Sequence, residues 1–352
     1  MLLQSMSEYP VLFRVAADPQ IGLGHLQRCL SLAMALHHFD VACLFLTNED
    51  PTVCNRVRHS GFDGYTLSGA VSWSIEDLAQ TTEAATSHGC SAIIVDSDSE
   101  GEKYLSQLRD AGFFVCAIED MAPHPFPCQM VVNGDAHARR LSYHSSSEDT
   151  LFLLGPEYSI LRPEFWEISP RVVRNVIQNV LITLGGSDSY DLMPRVLGLV
   201  DGLPGAHALA AIIGPFFDNV AEVEAVVRRA KRPIKLVYSP ASVRDLMLEA
   251  DLAVSAAGQT LYELACVGCP TVAVRMAANQ DGQLQVFDEA GFVRIAGHAD
   301  ESSVVTAIGD ALLSLQHDPE TRAVMSSAGQ RLVDGQGALR VARTILAEVS
   351  RM

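Results

Sequence analysis

The sequence predicts an α/β protein with two consecutive domains, each built on a doubly wound parallel sheet. The chain has 352 residues, more than one hydrophobic core usually organises. Short, almost entirely apolar runs alternate with segments of helical periodicity, as in parallel strands covered on both faces. This alternation breaks at residues 162–174, which carry proline and charge, and then starts again. We therefore predict Rossmann-like domains at 1–165 and 177–352 with a linker at 166–176, the last helices packing back toward the N-terminal domain.

Each half contains several predicted strands separated by helical patterns. The first half has strands at 11–15, 41–46, 92–96 and 113–118. The second half has strands at 180–184, 209–213, 234–238, 252–255 and 271–274, and helical patterns fill the chain from residue 301 onward. Ligands of open α/β sheets bind at the carboxyl ends of the strands. The predicted site is therefore a cleft lined by the strand-to-helix loops of both domains.

Composition excludes several classes of partner. A formal net charge of −17 argues against nucleic acid, because phosphate contacts need clustered Lys and Arg. The N-terminus resembles no export signal, and no apolar run approaches the roughly 20 residues that span a bilayer. The eight scattered cysteines indicate free thiols in a reducing compartment, and Cys266 and Cys269 are expected to be buried helix-end thiols, not redox or metal ligands. We predict a cytoplasmic protein without membrane insertion, metal or cofactor; the oligomeric state is not predicted.

The loop after the first strand carries the candidate catalytic residue. Gly22 and Gly24 allow close approach to a phosphate, and His25 falls in the first turn of the next helix. The positive end of that helix favours a neutral imidazole, which can accept a proton from water or a hydroxyl. The alternative is a helix-capping loop with an incidental histidine.

Two loops of the second domain are candidate diphosphate sites. Small residues follow its first strand, at Gly185, Gly186 and Ser187, where the alternative is an ordinary turn. A second small-residue loop opens a helix, and its members are Ala257, Gly258, Gln259 and Thr260. Glu263 lies three residues after Thr260, so it either binds the ribose hydroxyls or completes a capping box with Thr260.

Amide and aromatic side chains suggest a carbohydrate ligand. Asn279 and Gln280 begin another helix, and amides donate to and accept from sugar hydroxyls without charge; the alternative is helix capping. Tyr158 and Arg162 lie at the edge of the linker. Arg162 either pairs with phosphate or locks the domains through a carboxylate.

Together these motifs resemble the nucleotide-sugar hydrolases of pseudaminic acid biosynthesis. The similarity is carried by Arg14 with the run from Gln20 to Arg28, by residues 155–165, by residues 185–188, and by Glu263 with Asn279 and Gln280. That family releases UDP from a UDP-linked diacetamido-trideoxy-altrose. It shares the GT-B architecture with the N-acetylglucosaminyltransferase that makes lipid II, in glycosyltransferase family 28.

The resemblance implies a role for each motif. His25 would activate water for inverting attack at the anomeric carbon. The residues implied to bind the nucleotide are Gly24, Gly185, Gly186, Ser187, Ala257, Gly258, Gln259, Thr260 and Glu263. The residues implied to face the sugar are Arg14, Asp96, Tyr158, Asn279 and Gln280.

Two departures from the family pattern fall on the sugar side. Ala16 stands where the family usually has Asp, and Asp96-Ser97-Asp98 replaces its usual Asp-x-Tyr. Asp18 and Asp98 are candidates to replace the residues that the family usually has there.

Three hypotheses about function follow. The leading one is a UDP-sugar hydrolase; the others are a glycosyltransferase in which His25 deprotonates an acceptor hydroxyl, and a non-catalytic sugar-nucleotide-binding protein. The sequence shows no apolar or basic patch for docking a membrane-bound acceptor.

Overall fold

The computed structural model describes residues 9–16, 24–69, 72–96, 101–205 and 208–352. Contacts divide the chain into two compact units, one comprising Met1–Pro163 with Gln336–Met352 and the other Glu164–Gly335. The predicted linker at 166–176 belongs to the second unit. There Arg171 donates to the carbonyl oxygens of Met247 at 3.1 Å and Leu248 at 2.8 Å, which anchors this segment to the end of a helix.

The first unit is a seven-stranded parallel sheet in the order β3-β2-β1-β4-β5-β6-β7. Its strands are β1 (Val11–Val15), β2 (Cys43–Thr47), β3 (Asp63–Thr66), β4 (Ala92–Asp96), β5 (Phe114–Ile118), β6 (Met130–Asn133) and β7 (Leu151–Leu154). Its helices are α1 (Gly24–His37), α2 (Pro51–His59), α3 (Ile75–Ser87), α4 (Glu102–Asp110) and, from the end of the chain, α12 (Gly337–Val349). The α12 helix packs against α1.

The second unit repeats this plan with a six-stranded parallel sheet in the order β10-β9-β8-β11-β12-β13. Its strands are β8 (Asn179–Thr183), β9 (Ala208–Ile213), β10 (Ile234–Tyr238), β11 (Leu252–Ala256), β12 (Thr271–Arg275) and β13 (Val293–His298). Its helices are α5 (Leu192–Gly202), α6 (Val220–Arg229), α7 (Arg244–Glu249), α8 (Gln259–Cys266), α9 (Asp281–Glu289), α10 (Val304–Gln316) and α11 (Pro319–Leu332).

In both sheets the strand order reverses beside the first strand of the unit. In the first unit β1 lies between β2 and β4, and in the second unit β8 lies between β9 and β11. Loops that leave the carboxyl ends of such neighbouring strands diverge and leave a crevice, where ligands of open α/β sheets bind. The two reversals therefore mark one candidate site in each unit.

The predicted α/β class with two Rossmann-like sheets is confirmed, and all nine predicted strands are present. Four further strands escaped prediction: β3, β6, β7 and β13.

Among the described residues, no helix is long and apolar enough to cross a membrane. All eight cysteines are free thiols; Cys54 is half-buried and the other seven are buried. Burial raises the pKa of Cys266 to about 12 and that of Cys269 to about 11.

Candidate functional site

In the first unit, the crevice beside β1 holds a histidine–aspartate pair. His25 lies in the first turn of α1, and Asp96 is the last residue of β4, which pairs with β1. His25 Nδ1 lies 2.7 Å from Asp96 Oδ1. Asp96 is completely buried, whereas His25 is partly exposed. A proton on Nδ1 donated to Asp96 leaves the basic lone pair on Nε2, so the ring is oriented as a base.

Arg28 fixes this pair from the next turn of α1. Its Nε donates to Asp96 Oδ2 at 2.7 Å, and its Nη1 donates to the two oxygens of Asp120 at 2.6 and 2.8 Å. Its Nη2 lies 3.0 Å from His25 Nδ1 and 2.7 Å from Asp96 Oδ1. Because a guanidinium only donates, the Nη2 bond goes to Asp96 when Nδ1 carries its proton.

Electrostatics keep Asp96 ionised. Burial alone would raise its pKa, but the charge and hydrogen bonds of Arg28, together with those of His25, hold the pKa of Asp96 well below its usual range. Cys29 Sγ also donates to Asp96, at 3.1 Å, and burial raises the pKa of that thiol well above its usual value. The His25 ring therefore faces a permanent carboxylate.

These contacts correct one expectation from the sequence. Asp96 was expected to face the sugar, but its buried oxygens are occupied by His25, Arg28 and Cys29, so its carboxylate contacts the imidazole instead.

Arg14 does not face a ligand either, although it was predicted to bind the sugar. Its side chain is completely buried and forms an ion pair with Asp77, with 3.0 Å from Nε to Oδ1 and 2.8 Å from Nη2 to Oδ2. The guanidinium lies over the Trp73 ring, 4.4 Å from its centre. Arg14 thus ties β1 to α3 in the interior of the first unit.

The second unit contains a pocket of about 460 Å³ at its own strand reversal. Of the predicted nucleotide-binding residues, those that line it are Gly185, Gly186, Ser187, Gly258, Gln259 and Thr260. Gln280, predicted on the sugar side, lines it as well. Sequence reasoning missed other lining residues, among them Leu184, Ser189, Tyr190 and Met276.

The pocket walls are built by small residues and by one helix start. Gly185 has φ +88°, which favours glycine, and Gly214 packs so tightly on this loop that a Cβ there would lie 2.4 Å from the carbonyl oxygens of Gly185 and Gly186. Gly258 is the N-cap residue of α8 and offers no side chain to its amides. None of the lining residues is basic, so a diphosphate here would be met by backbone amides, hydroxyls and the helix dipole.

Gln280 is held in place at this wall. Its Oε1 accepts a hydrogen bond from the Met276 amide at 2.8 Å, and its Nε2 lies 3.9 Å from where a Cβ on Gly258 would be. Asn279, its predicted partner, is exposed and does not line the pocket. The prediction for Ala257 is corrected, because its side chain is buried and its amide is already donated to Val274 O at 3.0 Å.

The other predicted residues have these positions. Glu263 is buried in the second turn of α8, outside the pocket lining. Because Gly258 is the N-cap, Thr260 is the second helical residue and forms no capping box with Glu263. Tyr158 is half-buried in a 3₁₀ turn that packs on α12, and Gly24 is exposed at the start of α1. Asp18, Gly22, Ser97 and Asp98 lie outside the described residues.

Arg28 and Asp120 are functional candidates that sequence reasoning did not select. Asp96 is the last residue of β4, and Asp120 comes shortly after the end of β5. Each is an acidic residue at the carboxyl end of an apolar strand. That shared pattern was the signal available for Asp120.

In the part of the chain that the structure describes, no three His, Cys, Asp or Glu side chains form a group able to hold a metal ion.

Comparison with known proteins gives distant relatives, and no protein-family model matches the chain. The spore coat polysaccharide biosynthesis protein SpsG of Bacillus subtilis is 30% identical over 192 residues, which is 53% of this chain and 56% of the relative. A Helicobacter pylori protein is 25% identical over 280 residues, 78% of this chain and 46% of the relative. Its name is pseudaminic acid cytidylyltransferase and UDP-2,4-diacetamido-2,4,6-trideoxy-beta-L-altropyranose hydrolase. The chain spans about half the length of the curated relatives it matches.

Solved structures establish the fold class. Acinetobacter baumannii MurG aligns with a TM-score of 0.69 and 14% identity, over 96% of this chain and 99% of its own. The calicheamicin glycosyltransferase CalG4 aligns with a TM-score of 0.65 and 12% identity, over 99% of this chain and 100% of its own. At these identities, the likeness of both structures to this chain is one of fold. With its two parallel-sheet, Rossmann-like units, the chain has an α/β fold of the GT-B type.

Proposed function

We propose that this chain is a nucleotide-sugar hydrolase that releases UDP from a UDP-linked acetamido-deoxy sugar. The observation that carries the proposal is the His25–Asp96 pair at the strand reversal of the first unit, with Nδ1 held at 2.7 Å and the base on Nε2. The second unit supplies a pocket with the amides, hydroxyls and helix start that suit a nucleotide diphosphate. The names of the distant relatives agree with a role in surface-glycan or pseudaminic-type acid biosynthesis.

In the proposed reaction, His25 Nε2 takes a proton from water as the water oxygen attacks the anomeric carbon. The bond from that carbon to the diphosphate oxygen breaks, and UDP leaves with the bonding electron pair on the side opposite to the attack. The sugar is therefore released with inverted configuration. Asp96 stabilises the imidazolium formed in this step, and the amides at the start of α8 stabilise the negative charge on the leaving diphosphate.

A glycosyltransferase is the second candidate, because the aligned CalG4 structure is named as a glycosyltransferase. The same base would then deprotonate an acceptor hydroxyl instead of water. The two reactions differ in what they need: hydrolysis proceeds with donor and water alone. A non-catalytic sugar-nucleotide-binding protein would turn over neither.

The deciding experiment incubates the protein with a panel of UDP-sugars, including acetamido-deoxy sugars, and follows UDP release and product configuration by NMR. EDTA in a parallel sample removes adventitious metal ions. Free reducing sugar of inverted configuration, lost in His25→Ala, supports the hydrolase. UDP-sugar that stays intact until an acceptor is added indicates the transferase, and retained configuration contradicts the mechanism.

A further inference from the structure

Two adjacent phenylalanines in the loop after β9 have opposite environments. Phe217 is buried and belongs to the hydrophobic core of the second unit. Phe216 is 53% exposed. An exposed apolar side chain is common on protein surfaces and carries no meaning by itself. Packing of the second unit therefore accounts for Phe217, and the meaning of Phe216 depends on what lies beside it.

Phe216 lies directly beside the pocket of the second unit. Its amide donates to the carbonyl oxygen of Gly186 at 2.9 Å, and its ring Cδ2 lies 3.6 Å from where a Cβ on Gly186 would be. Gly186 is a lining residue of that pocket. The exposed ring thus packs on the loop that is proposed to hold the diphosphate.

Side-chain hydrogen bonds fix the loop of Phe216 to the loop after β8. The buried Asn219 donates through Nδ2 to Asp188 Oδ2 and to Asp191 Oδ1, both at 2.9 Å. Asp188 Oδ1 in turn accepts from the Leu192 amide at the start of α5, at 2.9 Å. The two loops are therefore joined both at Gly186 and at Asp188. A side chain on such a rigid loop is well suited to positioning a ligand group.

Strand order indicates which end of a nucleotide sugar would lie near Phe216. In the second sheet β9 lies on one side of β8, and β11 and β12 lie on the other. Phe216 follows β9, whereas Gln280, the lining residue predicted on the sugar side, follows β12. The nucleoside and the sugar are attached to opposite ends of the diphosphate. A ligand with its diphosphate at the loop after β8 and its sugar toward Gln280 has its nucleoside toward Phe216.

We propose that Phe216 stacks on the uracil ring of the bound nucleotide. An exposed aromatic ring suits this role, because every base has a flat π face that stacks on such rings. Phe216 then contributes to affinity for the nucleotide and takes no part in the chemical step. This inference rests on the proposed function for the identity of the ligand and extends it to the nucleobase.

The test measures binding by calorimetry in the His25→Ala background, which prevents turnover, with UDP and UDP-N-acetylglucosamine as probes. We expect Phe216→Ala to weaken both probes by the same factor, roughly 5- to 150-fold, the usual effect of losing one base–aromatic stack. Phe216→Tyr keeps the ring and should bind nearly as the parent does. Phe216→Leu keeps only apolar bulk and should lose part of the affinity.

The matched control is Val324→Ala, which removes another exposed apolar side chain of the second unit, on α11, and should change neither Kd. Because Phe216 is largely exposed, the melting temperature of Phe216→Ala should equal that of the parent. Three results would each overturn the inference and leave the hydrolase proposal intact: unchanged UDP affinity in Phe216→Ala, a loss that Phe216→Tyr does not restore, or a loss confined to UDP-N-acetylglucosamine. If the parent binds neither probe, the proposed function fails and the inference fails with it.

Discussion

His25 Nδ1 and Asp96 Oδ1, joined at 2.7 Å, connect the start of α1 to the end of β4 across the strand reversal of the first sheet. The carboxylate is buried and the imidazole is partly exposed, so Asp96 holds the Nδ1 side of the ring in a fixed position. Arg28 shares the same carboxylate, which prevents Asp96 from turning away. The orientation of His25 is thus set by its neighbours as well as by its place in the chain.

Asp96→Asn should lower kcat by roughly 10²–10⁴, because the amide cannot hold the proton on Nδ1 and stabilise the imidazolium. UDP affinity should stay nearly unchanged, since the pocket proposed to bind UDP lies in the second unit. Steady-state kinetics with the substrate found in the UDP-sugar panel and calorimetry with UDP check both parts.

The matched control for this variant is Asp120→Asn, which removes the other carboxylate of Arg28 and leaves the His25–Asp96 contact in place. It should cost less activity than Asp96→Asn. Equal losses in the two variants would show that the Arg28 network, and not the orientation of His25, is what turnover needs.

If the Glu263 carboxylate binds the ribose hydroxyls, Glu263→Ala should weaken UDP binding by about 1.5–3 kcal/mol. This is the usual contribution of a hydrogen bond to a charged group. The structure leaves this prediction open, because Glu263 lies in the second turn of α8 and outside the pocket lining. Calorimetry on the folded variant gives the answer. Asp288→Ala, which removes an exposed carboxylate from α9, serves as the control, and an unchanged Kd for Glu263→Ala removes Glu263 from the site.

The sequence predicted most of the strands that are buried on both faces, although the short buried strand β6 was missed. β1 and β4 are apolar throughout and were placed correctly, whereas β3 is an edge strand of sequence Asp-Gly-Tyr-Thr with mostly exposed residues and no apolar run. The edge strand β13, of sequence Val-Arg-Ile-Ala-Gly-His, is also partly exposed and has no apolar run longer than two residues. Such strands form because a neighbour offers hydrogen bonds, and that information is not local in sequence.

The candidate site was predicted less completely, because polar residues at strand ends have several roles. Arg14 and Asp96 both sit on central strands of the first sheet. The structure places Arg14 toward α3 and Asp96 toward α1, where each meets an opposite charge. Which face a charged residue takes depends on a partner far along the chain, such as Asp77. The glycine loops were easier to predict, since small residues after a strand are needed wherever a ligand approaches the backbone.

Gly214→Ala should weaken UDP binding at least roughly 10-fold, since a misplaced binding group usually costs 1.4 kcal/mol or more. The added Cβ would lie 2.4 Å from the carbonyl oxygens of Gly185 and Gly186, so the pocket loop must move. The Phe216 amide, which donates to Gly186 O at 2.9 Å, would shift with it. Calorimetry with UDP and a melting curve report both effects.

The matched control is Gly198→Ala, in the exposed face of α5, where the added Cβ meets nothing within 4 Å. It should stabilise the protein by roughly 0.5–1 kcal/mol, since alanine is the better helix former, and leave UDP binding unchanged. Normal UDP affinity in a folded Gly214→Ala protein would show that the Gly185–Gly186 loop does not hold the nucleotide.

Asp77→Asn should reduce the free energy of unfolding by about 3–5 kcal/mol at pH 7, because it leaves the buried Arg14 guanidinium without its counter-charge. Burial alone would raise the pKa of Asp77, but the hydrogen bond and charge of Arg14 outweigh burial and lower it. A carboxylate whose pKa is lowered on folding stabilises the protein above its unfolded pKa of about 3.9 and loses that contribution as pH falls through the folded pKa. The difference between parent and variant should therefore shrink below about pH 4. Urea unfolding at pH 7 and at acid pH measures it, and a variant as stable as the parent at pH 7 contradicts the assignment of Arg14 and Asp77 to the interior framework.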